Sequence, residues 1–184
     1  MKRKSGMNLP NSLTVLRMIL AVVFLILLLM PDKWAHIFAF VVFIIAAITD
    51  KLDGYLARKN NEETKLGAVL DPIADKMLIN LAFLALVMLD IVPVWVFAII
   101  LVRDFAIDGL RITVAGDNKN VSASYLGKLK TTFQMIALII LLLTVFIDFQ
   151  PMAVIGNIFL YIALGLTVLS AIEYFYVSRK SLNK

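Results

Sequence analysis

The sequence predicts an all-helical integral membrane protein, a bundle of six transmembrane helices with a polar bowl that opens to the cytoplasm. Hydrophobic residues make up 61% of the 184 positions and charged residues only 17%, whereas soluble domains are about 45–50% apolar. The apolar residues also form runs of about 20, the length that a helix needs to cross a bilayer. This composition excludes a soluble or disordered chain, and the lack of cysteine excludes disulfides, thiolate metal sites and cysteine nucleophiles.

Six apolar segments are long enough to span the membrane, and the short connections between them leave no room for a second domain. We therefore expect residues 1–184 to form one membrane-embedded domain. The first segment follows a basic N-terminus but has no small-residue cleavage site at its end, so we expect it to be retained. The predicted spans are 12–30, 34–56, 69–89, 92–114, 126–147 and 153–177.

The later segments differ in how many charges they carry. The third has Pro72 in its predicted first turn, where proline is tolerated. The fourth must carry Arg103, Asp104 and further charges inside the membrane, whereas residues 149–172 are free of charge. Charges within a span are costly in lipid, so they normally face a bundle interior or a wet cavity and indicate function.

Basic residues give the orientation. With six spans both termini share one side, and of the 18 Lys and Arg residues only Lys33 falls on the other. By the positive-inside rule the basic side, which holds both termini, is cytoplasmic. Because we see no transit peptide, we expect a bacterial plasma membrane protein. The net charge of +5 then reflects orientation and anionic lipid, not nucleic acid.

Four aspartates are predicted to converge near the cytoplasmic end of two neighbouring helices. Asp50 and Asp53 are separated by three positions, and Asp71 and Asp75 by four, so each pair shares a helix face. Anions packed together repel unless a cation neutralises them, and Mg²⁺ suits carboxylate and phosphate oxygens, with room for two ions. The alternative is that each Asp pairs with a nearby Lys or Arg.

This segment resembles the signature of the CDP-alcohol phosphatidyltransferase family, in the pattern Asp50-x2-Asp53-Gly54-x2-Ala57-Arg58-x8-Gly67-x3-Asp71-x3-Asp75. The resemblance implies a membrane enzyme, a homodimer, that transfers a phosphatidyl group from a CDP-linked lipid to an alcohol and releases CMP. It also implies two divalent ions, Mg²⁺ or alternatively Mn²⁺, on the four aspartates, with Asp75 as general base. The residues that it associates with the cytidine nucleotide are Gly54, Ala57, Arg58 and Gly67.

A second set of charged residues predicts a phosphate pocket. Arg103 and Arg111 project from one side of the fourth helix, and Lys128 and Lys130 open the fifth. Arginine offers a fork of donors and lysine a point charge, which together suit a phosphate. Alternatively, these cations pair with acids of the fourth helix or reach lipid phosphates.

Three stretches resemble the phosphatidylglycerophosphate synthase branch of that family, namely 10–17, 103–111 and 127–131. The resemblance implies CDP-diacylglycerol as donor and glycerol 3-phosphate as acceptor. It also implies that Asn11 and Thr14 help to hold the donor, although Thr14 also fits an ordinary N-terminal helix residue. One departure is Asp104, where the branch usually has Glu.

Other functions remain open from the sequence alone. The same family also suggests inositol phosphate, phosphatidylglycerol or serine as acceptor. A cation transporter would also use acidic residues, but transporter sites tend to lie at the midplane between repeats, and here the acids collect at one end without a visible repeat. A non-catalytic scaffold would leave the four aspartates unexplained.

Overall fold

The computed structural model describes residues 9–60, 65–116 and 125–182, with side chains for 11–49, 67, 69–110 and 125–176. The described part consists of α-helices joined by short connections and contains no strand, which confirms the predicted all-helical fold class. Its helices are α1 (Leu9–Leu28), α2 (Lys33–Asn60), α3 (Lys65–Met88), α4 (Val94–Gly116), α5 (Tyr125–Thr144) and α6 (Gln150–Leu182).

The helices differ in how well they suit a membrane. Among the described residues, three segments are long and apolar enough to span one, and a shorter apolar stretch covers Lys33–Thr49. The three spanning segments are Asn11–Leu28, Tyr125–Thr144 and Gln150–Tyr176. Helices α3 and α4 instead carry several charged residues within their length.

The third helix starts earlier than its apolar pattern predicts. It begins at Lys65 rather than at 69, so both Gly67 and Pro72 lie inside the helix. The prediction that Pro72 sits in the first turn was wrong, because residues 65–68, which precede the predicted span, also adopt helical geometry. Proline has no N–H to donate to the carbonyl of Ala68, an omission that membrane helices tolerate when neighbouring groups compensate.

The chain forms two compact units, of which the first is Met1–Leu89. In it α1 packs against both α2 and α3, and the Phe24 and Phe43 rings lie 5.5 Å apart. Asp32 caps α2, since its Oδ2 accepts a hydrogen bond of 3.0 Å from the Ala35 backbone N–H. One stripe of α1 is buried, polar at its N-terminal end and apolar beyond, and comprises Asn11, Thr14, Arg17, Ala21, Phe24 and Leu28.

The second unit, Asp90–Lys184, is built around α6. This helix packs along α5 and also against α4. Its buried residues recur at alternating intervals of four and three, a spacing that keeps one helix face against its neighbours. They are Gly156, Leu160, Ala163, Thr167, Ser170 and Tyr174.

Aromatic pairs and one close helix approach hold the second unit together. The Phe133 and Phe159 rings lie 5.6 Å apart between α5 and α6, and Trp95 pairs with Tyr161 at 6.2 Å between α4 and α6. A Cβ at Gly156 would lie 2.6 Å from Leu141 Cδ2, so α5 and α6 approach each other closely there.

Candidate functional site

Two predicted metal ligands lie near the beginning of α3, in the first unit. Asp71 and Asp75 are one turn apart and both are partly accessible, so their carboxylates share one side of the helix. The Thr14 hydroxyl donates a hydrogen bond of 2.6 Å to Asp71 Oδ1. Thr14 is fully buried, and this contact fixes one of the two carboxylates from the neighbouring helix α1.

The polar end of α1 lies with this part of α3. Asn11, Thr14 and Arg17 are buried at intervals of three, so they lie on the α1 face that packs against the rest of the unit. Gly67, in the first turns of α3, is buried as well. The structure therefore brings Thr14 to a predicted metal ligand, a contact that sequence reasoning did not anticipate.

The remaining predicted residues of this site lie in the last turns of α2. Asp50, Asp53, Gly54, Ala57 and Arg58 are placed on that helix by the backbone, and their side chains lie outside the described residues. Among the side chains that are described, no group of three acidic, His or Cys residues could hold a metal. The oxygen-only donors of Asp71 and Asp75 nevertheless fit a hard divalent cation.

In the second unit, side chains of three helices meet around Arg103 and Asp104. Its Oδ1 accepts a hydrogen bond of 3.1 Å from Arg103 Nη1 and a second one from Lys130 Nζ. Arg103 Nη2 donates a bond of 2.6 Å to Ser170 Oγ. For Arg103 and Lys130 the structure therefore shows the ion pairing that the sequence had left as an alternative.

The four predicted phosphate-binding cations are not equivalent. Lys130 is 2% exposed, whereas Lys128 is exposed, because residues two apart on a helix point about 200° away from each other. Arg111 lies on α4, and its side chain is outside the described residues. The structure thus brings together Arg103 and Lys130, and it does not bring Lys128 into their cluster.

One residue of this cluster, and one that follows it on α5, were missed from the sequence. Ser170 is fully buried and lies 67 positions from its partner Arg103, a separation that no local pattern reveals. Gln134 is buried one turn after Lys130, and its Nε2 has no hydrogen-bond partner among the described residues. The spacing of four residues between Lys130 and Gln134, which places both on one helix face, is the signal that could have found it.

Comparisons with known proteins agree with the predicted family. The family model described as CDP-alcohol phosphatidyltransferase matches residues 7–169. A protein of Bacillus subtilis (strain 168) is 40% identical over 181 residues, covering 91% of this chain and 93% of its own. A protein of Sodalis glossinidius is 36% identical, and the match covers 96% of this chain and 97% of the relative. A protein of Rickettsia typhi is 38% identical, and the match covers 91% of this chain and 95% of the relative. All three relatives are named CDP-diacylglycerol–glycerol-3-phosphate 3-phosphatidyltransferase.

Proposed function

Because the chain belongs to the CDP-alcohol phosphatidyltransferase family, we propose that it transfers a phosphatidyl group from CDP-diacylglycerol to glycerol 3-phosphate. The products are phosphatidylglycerophosphate and CMP, and the role is in phospholipid biosynthesis. The observation that carries this proposal is the shared name of relatives that match more than nine-tenths of the chain and of their own lengths. The fold agrees, since the described residues are helical and three segments suit a membrane.

The donor, CDP-diacylglycerol, carries a negatively charged diphosphate that the site must neutralise. We assign Asp50, Asp53, Asp71 and Asp75 to hold divalent ions, and members of the family generally use such a metal. Mg²⁺ is the first choice, Mn²⁺ the alternative, and two ions the expected number. Bound there, the ions would neutralise the diphosphate and stabilise the charge that develops on departing CMP.

In the transfer itself, the acceptor hydroxyl attacks the phosphorus that carries the diacylglycerol. A new oxygen–phosphorus bond forms, the bond to the CMP oxygen breaks, and CMP leaves with that electron pair. The hydroxyl proton passes to Asp75, whose carboxylate is partly accessible on α3 and therefore able to act as general base. Thr14 supports the chemistry by holding the neighbouring carboxylate of Asp71.

Other residues orient the two substrates. We assign the cytidine nucleotide to the small residues and arginine of the family motif together with the start of α1, namely Asn11, Thr14, Gly54, Ala57, Arg58 and Gly67. The phosphate of the acceptor is assigned to Arg103, Arg111, Lys128 and Lys130. Of these four, Arg103 and Lys130 form a joined cluster through Asp104.

The membrane setting follows from the charge distribution. We propose that all six helices cross a bacterial plasma membrane, with both termini and the polar bowl on the cytoplasmic side, and that the enzyme is a homodimer. Charges concentrated at one end of the apolar helices support this orientation, since soluble substrates arrive from the cytoplasm while the lipid tails stay in the bilayer.

Replacing the proposed base tests the assignment. Asp75→Asn should abolish release of CMP from CDP-diacylglycerol in purified protein, because an amide cannot accept the hydroxyl proton. Asp148→Asn is the matched control, since it removes the same charge from an exposed connecting residue and should leave turnover unchanged. Near-normal turnover in the Asp75 variant, with the protein still membrane-embedded, would contradict the proposed role.

A further inference from the structure

The cluster around Asp104 joins α4, α5 and α6 and contains more than the predicted phosphate-binding cations. Arg103 donates to two partners on different helices, Asp104 on its own helix and Ser170 on α6. Lys130, from α5, donates to the same Asp104 oxygen as Arg103 does. Asp104 therefore holds both Arg103 and Lys130 in place, and Ser170 also holds Arg103.

Ser170 is held in one orientation. Its hydroxyl donates a bond of 3.1 Å to the Thr167 carbonyl, and a serine hydroxyl has only one proton to donate. Its lone pairs are therefore available to Arg103, whose Nη2 lies 2.6 Å away. Because Ser170 is fully buried, water does not compete for this contact, and the serine fixes the plane of the guanidinium.

Asp104 determines how closely the two cations approach. Its Oδ1 accepts from both Arg103 and Lys130, so a single oxygen holds a guanidinium and an ammonium side by side against their mutual repulsion. The side chains of Arg103 and Asp104 are 14% and 17% exposed, so this arrangement is largely shielded from solvent. Two cations held together in this way form a binding site for an anion with several oxygens.

Unused donors indicate the same kind of ligand. Arg103 Nε is buried and has no hydrogen-bond partner among the described residues, and the same holds for Gln134 Nε2, one turn after Lys130. Buried N–H groups without an acceptor cost free energy, so a ligand with acceptor oxygens beside Arg103 would remove that cost for its Nε.

We propose that Ser170 and Asp104 are positioning residues, which orient Arg103 and Lys130 for the phosphate of the acceptor. This inference rests on the proposed function, since it deepens the account of the acceptor site. Neither residue contacts the reacting atoms. Their effect is on acceptor affinity, through the direction of the guanidinium donors and the separation of the two charges.

Ser170→Ala tests the proposal with little risk to folding, because it removes one oxygen. We expect the KM for glycerol 3-phosphate to rise about tenfold, as loss of a hydrogen bond to a charged group implies, while kcat and the KM for CDP-diacylglycerol stay near wild type. The inhibition constant of inorganic phosphate, used as a competitor of glycerol 3-phosphate, should rise by the same factor, because phosphate would bind the same guanidinium.

Thr167→Val is the matched control. Thr167 is equally buried on the same helix, and its hydroxyl donates a hydrogen bond of 2.6 Å to the Ala163 carbonyl of that helix. We expect unchanged kinetics with both substrates. Asp104→Glu and Asp104→Asn extend the test, since the first keeps the charge and should retain part of the acceptor affinity, whereas the second should lose more than Ser170→Ala.

The outcomes separate the two proposals. If wild type uses glycerol 3-phosphate and Ser170→Ala matches Thr167→Val in every constant, the positioning role is overturned while the proposed function stands. A Ser170→Ala variant in which both KM values and the unfolding temperature shift together would show a purely structural role and also overturn it. If wild type forms no phosphatidylglycerophosphate, the proposed function fails and this inference fails with it.

Discussion

At the scale of single residues, the contact between Thr14 and Asp71 links a buried hydroxyl on α1 to a proposed metal ligand on α3. The donor–acceptor distance of 2.6 Å is typical of a hydroxyl bonded to a carboxylate. The bond restricts the rotation of the Asp71 side chain, and a fixed carboxylate binds a metal with less loss of entropy than a mobile one. Thr14 therefore matters through the orientation of Asp71, whether or not it also contacts the donor lipid.

Thr14→Val should remove this bond while preserving side-chain volume. Hydrogen bonds to charged groups contribute about 1.5–3 kcal/mol, so we expect at least a tenfold higher Mg²⁺ concentration for half-maximal activity. The measurement is a Mg²⁺ titration of CMP release by purified protein.

Two variants serve as controls for this titration. Thr14→Ser keeps a hydroxyl and should retain much of the Mg²⁺ affinity. Thr49→Val removes a hydroxyl that bonds to the Ile45 carbonyl of its own helix, at 2.7 Å, and should leave the titration unchanged. Equal Mg²⁺ dependence for Thr14→Val and wild type would show that the contact does not orient a metal ligand.

At the scale of helices, the packing of α5 against α6 depends on Gly156. The missing side chain allows Leu141 to lie where a Cβ would be 2.6 Å from its Cδ2. Leu141 is itself fully buried, so it has little space into which it can move. Small residues at helix contacts are a common means of close packing in membranes, where the hydrophobic effect does not drive helix association.

Gly156→Val should therefore destabilise the second unit. Overpacking of a filled contact costs about 1–3 kcal/mol, and the expected result is a lower unfolding temperature in detergent. Gly165→Val is the matched control on the same helix, because a Cβ there would have no described atom within 4 Å beyond its own stretch of helix. Any cost of valine in a helix is common to both variants. Equal unfolding temperatures for the two variants would contradict the packing argument.

Hydropathy and charge patterns predicted six spans, and the described residues form a helix at each of those positions, because local composition governs helix formation in an apolar chain. The residues at which each helix begins and ends were less predictable. Helix α3 begins at Lys65 rather than at 69, since a helix can continue beyond the segment that crosses the membrane. The spacing of four residues predicted that Asp71 and Asp75 share one helix face, and both do lie one turn apart on α3.

Contacts between distant helices were not predictable in the same way. Thr14 and Asp71 are 57 positions apart, and Arg103 and Ser170 are 67 apart. Such pairs depend on which helices become neighbours and on how each is rotated about its axis, and a single sequence encodes neither in a local pattern. Ser170 shows the consequence, since nothing in its surroundings distinguishes it from an ordinary small residue of a membrane helix.

At the scale of the whole molecule, the two polar clusters have different chemistry and match the two substrates proposed. The first unit places carboxylates at the start of α3, as a metal-bound diphosphate requires. The second unit holds Arg103 and Lys130 around one carboxylate, as an acceptor with its own phosphate requires. An alcohol without a phosphate, such as serine, would leave the second cluster without a ligand.

The most direct test of the account is an acceptor assay. Purified protein with Mg²⁺ and labelled CDP-diacylglycerol is offered glycerol 3-phosphate, inositol phosphate, phosphatidylglycerol or serine, and labelled lipid products and CMP are measured together. The account predicts that only glycerol 3-phosphate supports rapid release of CMP, with equal formation of phosphatidylglycerophosphate. Rapid turnover with another of these alcohols and none with glycerol 3-phosphate would contradict it.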